Sequence, residues 1–275
     1  QERALLRHDL GLDSNIFVYY VKWLGNFVTG DLGYAYSASG GAPVSVASLV
    51  GKALPRTLLI MVYTSVFSLL ISIPLGVLLG YKADSRFDRV VSNGLFLLSS
   101  IPNFVIALTL AFILAVKFQI FPSIGYVPLG DGVLEHFKAM VLPVISLSVG
   151  LIATQTRLLR ADMIATLRED FVTMASSKGL SNKFILWRHA FRPSSLTLMT
   201  SAALNMGSLI GGAVIIESIF DLDGFGMLLL IQLNTRQYLG IQSLVALITV
   251  AYVLFNAIVD GFYAVVDPRV RRASV

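Results

Sequence analysis

Along this chain, long stretches without a single charged residue are separated by short charged ones. Five are long enough to matter: residues 57–81, 90–116, 139–156, 193–216 and 237–259. The hydrocarbon core of a bilayer is about 30 Å thick and a helix crosses it with about 20 apolar residues. Each run therefore predicts a spanning helix. None shows the two-residue alternation of a barrel strand, and in lipid a helix satisfies its own backbone groups, so the prediction is an all-α polytopic transmembrane bundle. Pro74 and Pro102 predict kinks in the first two runs, and Pro193 suits the first turn of the fourth helix.

Between the runs the pattern is different. Ile16, Phe17, Tyr20, Val21, Leu24, Phe27 and Val28 fall at helical spacing behind a cap at Asp13 or Ser14. That helix is too short to span, and its Tyr and Trp content predicts a place at the outer interface or against the bundle. The stretch GDLGYAYSASGGAPVS that follows reads as a loop. Residues 117–138, with Pro122 and Pro128, read as a compact connection. Residues 217–236 are polar at the ends and apolar in the middle, which predicts a short helix dipping back into the bundle. No repeat or low-complexity tract divides the chain, so one helical domain accounts for it.

Composition agrees with the pattern. Hydrophobic residues make up 56% of the chain and charged residues 13%, with a mean hydropathy of +0.77, against roughly 25% charged in soluble domains. Lys and Arg then give orientation, because cytoplasmic loops carry the positive excess. Lys82, Arg86 and Arg89 lie in one connection, Arg157 to Arg192 supply seven in another, and Arg269, Arg271 and Arg272 lie in the tail. These are predicted to be inside. The division expected is an extracytoplasmic region 1–56, a transmembrane domain 57–265 and a cytoplasmic tail 266–275. An external start is awkward for a chain opening QERALLRHDLGLD, which has no signal-peptide apolar region. A further transmembrane helix preceding Gln1 is therefore expected, for six spans with both ends cytoplasmic. The net charge of +5 follows from this one-sided clustering and calls for no nucleic-acid partner. Without cysteine there is neither a disulfide framework nor a thiolate metal site.

The long basic connection, 160–192, contains more than a loop needs. Met163, Ile164, Leu167, Phe171, Met174 and Ala175 fall on one helical face, continuing the third span into the cytoplasm. Thr166 and Glu169 have capping-box spacing, which predicts a break and restart near Leu167. Gly179 can end that helix in the left-handed conformation, and Ser181 can cap another over Asn182 to Ala190. Leu180, Phe184, Ile185 and Trp187 stay apolar in a segment that should meet water. A solvated loop and a docking knob for a partner's groove both fit. A DNA-binding helix-turn-helix does not, since both flanks enter the membrane and no third helix completes its core.

The stretch DFVTMASSKGLSNKFILWRHAFRPS resembles the cytoplasmic EAA loop of permease subunits in binding-protein-dependent ABC importers. It is most similar to the dipeptide, oligopeptide and nickel branch, whose loop reads close to D-Y-V-x-x-A-R-A-K-G-L and continues into H-A-L-R. Asp170, Phe171, Val172, Ala175, Lys178, Gly179, Leu180, His189, Ala190, Phe191 and Arg192 occupy those places. GDLGYAYS at 30–37, RLLRADM at 157–163, ESIFDLDGFG at 217–226 and VVDPRVR at 265–271 extend the resemblance, in order, over the chain. Thr173, Met174 and Ser177 depart from it where glutamate, alanine and alanine are usual.

That resemblance implies the type I ABC importer permease fold in a bacterial inner membrane. It implies a second homologous permease, one or two ABC ATPases that use ATP and Mg, and an extracytoplasmic substrate-binding protein. It assigns ATPase coupling to the loop bearing Glu169, Asp170, Phe171, Met174, Ala175, Lys178, Gly179, Leu180, Phe184, His189 and Arg192. Under this reading the chain is not an enzyme and binds no cofactor or metal of its own. It has no G-x-x-x-x-G-K-[ST] loop; VGKAL at 50–54 lacks the upstream glycine and the hydroxyl residue.

Other residues carry weaker signals. Asn103, Thr154, Asn205 and Ser208 are uncharged polar groups in spans that could line a peptide route, or be satisfied by neighbouring helices. Asp260, four residues after Asn256, pairs with tail arginines or faces the path. GVLLG at 76–80 and GSLIG at 207–211 have the small-residue spacing of close helix contacts, the latter with a partner permease as one possibility. His8, His136 and His189 are too scattered to form a metal site. An ion-coupled secondary transporter and a nickel importer remain the alternatives; H-E-x-x-H and G-x-S-x-G are absent, which disfavours a membrane enzyme.

Overall fold

The computed structural model describes residues 15–36 and 42–266, with side chains except at Gly212 and 259–266. Helix α1 (Ile16–Val28) is capped by Asn15, one residue beyond the expected caps, whose side-chain oxygen accepts from the Phe17 N–H. None of its residues is buried. It leans on the start of the last helix, Tyr19 hydroxyl to Gln242 and Trp23 indole to Ser243. The expected loop then closes into a two-residue hairpin, β1 (Tyr34–Ala35) against β2 (Val44–Ser45), antiparallel. Gln237 fastens it by exchanging hydrogen bonds with the Tyr36 backbone in both directions.

Helix α2 (Val46–Tyr81) starts well before the apolar run at 57 and passes through Pro55 and Pro74 without interruption. Pro74 therefore does not break the helix. Pro102 does more than kink its run. Helix α3 (Arg86–Ser99) and the helix beyond it meet at 95°. Proline at the N-cap of α4 (Asn103–Leu110) stands in extended backbone, with φ −58° and ψ 139°, and disfavours helix in the residue before it. Beyond Leu110, α4 widens into a π-helical turn, Ala111–Lys117.

Helix α5 (Val133–Leu167) is the longest uninterrupted partner of α2. The two approach closely because α2 presents glycine: a Cβ at Gly76 would lie 2.8 Å from Leu159, and one at Gly80 2.5 Å from Met163. Both packing expectations for GVLLG hold. Between them runs a seam of polar groups, Thr64, Ser65, Ser68 and Ser72 on α2 and Ser146, Ser148, Gln155 and Thr156 on α5, all buried. Ser72 donates to Gln155 at 3.1 Å and Ser148 to the Thr64 carbonyl at 3.4 Å, both across the helix pair. Such groups join helices in a membrane, where apolar contact with lipid costs nothing. His136, fully buried, sits between the Val127 carbonyl and the Tyr63 hydroxyl and is a packing residue.

Two short helices follow, α6 (Asp170–Ser177) and α7 (Asn182–Phe184). Through a π-helical turn, Ile185–Ala190, α7 runs directly into α8 (Phe191–Phe220). Pro193 thus lies inside a continuing helix rather than at a free start. Helix α9 (Phe225–Asn234) is the expected short helix; Phe225, Gly226, Leu228 and Gln232 are buried, and it packs on α8, α2 and α10 (Tyr238–Val266). By length and composition three helices can cross a membrane, or up to five when the pairs bent at 95° and 54° each count as one. Five agrees with the number of apolar runs.

Gly207 of GSLIG turns inward: a Cβ there would lie 3.1 Å from the Tyr252 ring of α10 and 3.6 Å from Asn256. Gly211 has open space around it. The tail arginines, His8 and the Asp260 side chain lie outside the described residues, as does most of VVDPRVR.

Candidate functional site

The 160–192 connection forms a compact projection whose shape is set by one turn. Helix α5 ends at Leu167, and α6 begins after Glu169. The expected capping box does not form: Glu169 itself occupies the N-cap, and Thr166 accepts a hydrogen bond from Ser194 at 2.8 Å. Asp170 in the first turn of α6 places a carboxylate near the positive end of the helix. At the other end Gly179 has φ +79°. Its N–H reaches the Ser176 carbonyl and the Leu180 N–H reaches Ala175, which is the paired closure of a left-handed helix end. Lys178 precedes it, exposed. A Cβ on Gly179 would meet nothing within 4 Å, so only the backbone angle requires glycine there.

Ser181 caps α7 by position, as expected, but through backbone alone, Ile185 N–H to Ser181 carbonyl. His189 packs edge-on against Phe184, ring centroids 5.4 Å apart. Arg192 is exposed where the projection returns to α8. Asn182 donates to the Tyr81 hydroxyl at 3.0 Å, tying α7 to the end of α2.

The inward face of the projection differs from the expected one. Val172, Ala175 and Ile185 form its small core with Leu167. Phe171 and Met174 face outward, Met174 at 55% exposure. The break at Arg168 and Glu169 resets the helical phase, so a face drawn straight through from Met163 misassigns everything beyond it. Leu180, Phe184 and Trp187 are exposed as well. Five large apolar side chains therefore stand on the surface of a rigid, glycine-closed pair of short helices. Ser181, Lys183, Phe184, Trp187 and Arg188 line an open concavity on its side.

The four polar residues singled out within the spans divide into two pairs. Asn103 lies by Gly150 of α5, where a Cβ would be 3.7 Å from its side-chain oxygen, and Thr154 donates to the Gly150 carbonyl. On α8, Asn205 donates to Ser201 at 3.2 Å and Ser208 to the Asn205 carbonyl at 2.8 Å. Among the described residues no hydrogen bond joins the pairs.

Two charged arrangements escaped the sequence reading. Glu217, 1% exposed, ends α8 and holds the start of α9: it accepts from Thr57 at 2.5 Å, Gly226 N–H at 2.7 Å and Met227 N–H at 3.1 Å. Thr57 in turn accepts from the Phe225 N–H at 2.7 Å. Asp221 and Asp223 take positive φ in the connecting turn, and Asp223 pairs with Arg56 at 2.9 Å, whose guanidinium lies over Tyr126. At the other end of the bundle, buried Asp88 receives Arg160 Nε and Nη2, each at 2.6 Å, together with the Asp84 N–H and the Ser92 hydroxyl. The signal available was a glutamate directly after one apolar run and an aspartate two residues before another, each with a distant partner that spacing does not reveal.

A family profile described as binding-protein-dependent transport system inner membrane component matches residues 72–272, which contain the whole projection. The chain belongs to that family. It is 32% identical over 268 residues to a probable peptide ABC transporter permease protein, y4tP, of Sinorhizobium fredii, covering 98% of this chain and 84% of that one. It is 35% identical over 262 residues to the oligopeptide transport system permease protein AppB of Bacillus subtilis, covering 94% and 82%. Among solved structures, a chain of the MetNI methionine ABC transporter in an inward-facing conformation is similar over 80% of this chain and 97% of that one, with TM-score 0.66 and 17% identity. A chain of an amino acid ABC transporter solved with histidines is similar over 90% and 98%, with TM-score 0.53 and 16% identity. At those identities the likeness concerns the fold alone, and it is the ABC importer permease fold. Within this inner membrane component, the segments expected from the resemblance now have defined geometry: a projecting helix pair, a glutamate-locked short helix and a bundle of long apolar helices.

Proposed function

We propose that this inner membrane component is a permease subunit of an ATP-driven ABC importer for di- or oligopeptides. It forms the path with a second homologous permease and receives work from one or two cytoplasmic ATPases. An extracytoplasmic binding protein delivers the solute. The observation that carries the coupling role is the projection closed at Gly179, which exposes Phe171, Met174, Leu180, Phe184 and Trp187 together. Large apolar groups on a rigid exposed element are what a partner's groove grips. The basic connections and the tail lie on the cytoplasmic side under this reading, since the projection and most lysines and arginines share that side.

The peptide assignment is supported by relatives named for peptide transport at 31–35% identity over most of the chain. Asn103, Thr154, Asn205 and Ser208 are the polar groups offered to a peptide backbone along the path, as two separate pairs.

The test is reconstitution with the ATPases and binding protein that copurify with the chain. Peptide uptake should require ATP and persist when the proton gradient is collapsed. Gly179→Val should abolish uptake and peptide-stimulated ATP hydrolysis while leaving the permease assembled. Uptake that follows the proton gradient instead of ATP would sink the importer reading, and ATP-driven nickel uptake without peptide uptake would redirect the substrate.

A further inference from the structure

Where α3 meets α5 the structure holds a polar pocket of about 400 Å³, lined by Asp84, Asp88, Arg89, Ser92, Asn93, Arg157 and Arg160. Its three arginines and two aspartates leave a net charge of +1 (3 − 2). Of its two carboxylates, Asp88 is engaged within the pocket wall and Asp84 is exposed. Asp88 is 1% exposed and is held by Arg160 through two bonds of 2.6 Å. Arg89 donates one bond, at 3.1 Å, to the Asp84 carbonyl and keeps its other donors. Arg157 is exposed and makes no hydrogen bond or ion pair with any described residue.

The pocket's depth in the bilayer follows from the apolar runs. Arg89 immediately precedes the run 90–116 and Arg157 immediately follows the run 139–156. Both guanidiniums therefore stand where hydrocarbon gives way to headgroups. The 95° break at residues 100–102 adds a second observation. Two helices at that angle cannot both follow the membrane normal, so α3 and α4 meet the layer at different inclinations. Asp88, Arg89, Ser92 and Asn93 occupy one side of α3. On the opposite side Phe87, Val90, Leu97 and Leu98 are exposed, Val90 at 71%. Charged and apolar groups are exposed side by side on α3, with Phe96 at 57% on the side of Ser92 and Asn93, which suits the boundary between hydrocarbon and headgroups.

We propose that this pocket binds the phosphodiester of an anionic glycerophospholipid, with Arg89 and Arg157 as its forks and Asn93 as a neutral donor. The planar guanidinium matches phosphate oxygens two at a time. A pocket of net charge +1 is matched by the single charge of a phosphodiester, whereas free inorganic phosphate carries more charge. The site concerns lipid, not the transported solute. It stands independently of the peptide reading.

The test uses the full chain purified in detergent, titrated with phosphatidylglycerol, phosphatidylcholine or inorganic phosphate and followed by native mass spectrometry and thermal midpoint. Phosphatidylglycerol should stay bound and raise the midpoint, and phosphatidylcholine should do neither. Arg89→Ala and Arg157→Ala should each weaken phosphatidylglycerol about fivefold, and the double variant more than tenfold. Arg157→Lys should recover part of that loss, since it keeps the charge but loses the fork. Equal binding of phosphatidylcholine, or binding unchanged in the double variant, overturns the proposal. Stabilisation by inorganic phosphate to the same extent as by phosphatidylglycerol overturns the lipid assignment and makes this a soluble-anion site.

Discussion

Two turns in this molecule depend on glycine, for opposite reasons. At Gly179 the backbone angle is positive and the space around the residue is empty; at Gly226 a Cβ would lie 2.5 Å from the Val214 Cα. One turn is a device of shape, facing outward on an exposed projection. The other is a device of closeness, buried so that Glu217 can reach the first N–H groups of α9. The lesson is that the first can fail without the fold failing, while the second cannot. A variant at Gly179 tests coupling, and a variant at Gly226 tests assembly.

The largest expected effect lies at the buried turn. Glu217→Ala leaves the Thr57 hydroxyl and two backbone N–H groups without their acceptor, each costing about 1–3 kcal/mol, so about 4 kcal/mol in all is expected. Thermal unfolding in detergent reads it, and Glu217→Gln, which keeps an acceptor, should lose less than half as much. Gly226→Ala comes next, about 3 kcal/mol, because its neighbour is backbone and cannot step aside.

At the open turn, Gly179→Val should cost about 2 kcal/mol, the strain of a branched residue in the left-handed region. Its transport defect should far exceed that loss, and Gly179→Asn, which tolerates the same angle, should restore uptake. Loss of transport in Gly179→Val accompanied by an unfolding midpoint as low as that of Gly226→Ala would erase the contrast between the turns. Phe184→Ser sharpens it from the other side: the side chain is exposed, so stability should shift by less than about 0.5 kcal/mol while ATPase copurification weakens. The smallest effect belongs to Gly211→Ala, with open space around it, which should stay within about 0.5 kcal/mol by the same unfolding measurement. A large loss there would show that this surface is covered by another subunit.

Much of this architecture was legible before any coordinates. Apolar runs located the spans because the bilayer imposes a length, and Gly179 and Ser181 marked the helix ends because capping is local. What stayed hidden was set by contacts distant in sequence. Pro74 left α2 unbroken and Pro102 divided its span, a difference that the presence of a proline in each run did not reveal. Phe171 and Met174 seemed to continue the buried stripe of α5 until a two-residue break changed the phase. Glu217 and Asp88 stood close to the ends of apolar runs, yet nothing local indicated that Thr57 and Arg160 would meet them.

Helix α5 has one further consequence. Its 35 residues give a rod of roughly 50 Å at about 1.5 Å per residue, against a hydrocarbon layer of about 30 Å. Its far end carries the α6–α7 projection. A tilt of only about 4° about the His136 end would displace Leu167 by more than about 3 Å over that length. Leverage of this kind means that the inner part of the bundle need move very little for the projection to travel the width of an atom, and the reverse holds when the projection is the part that is pushed.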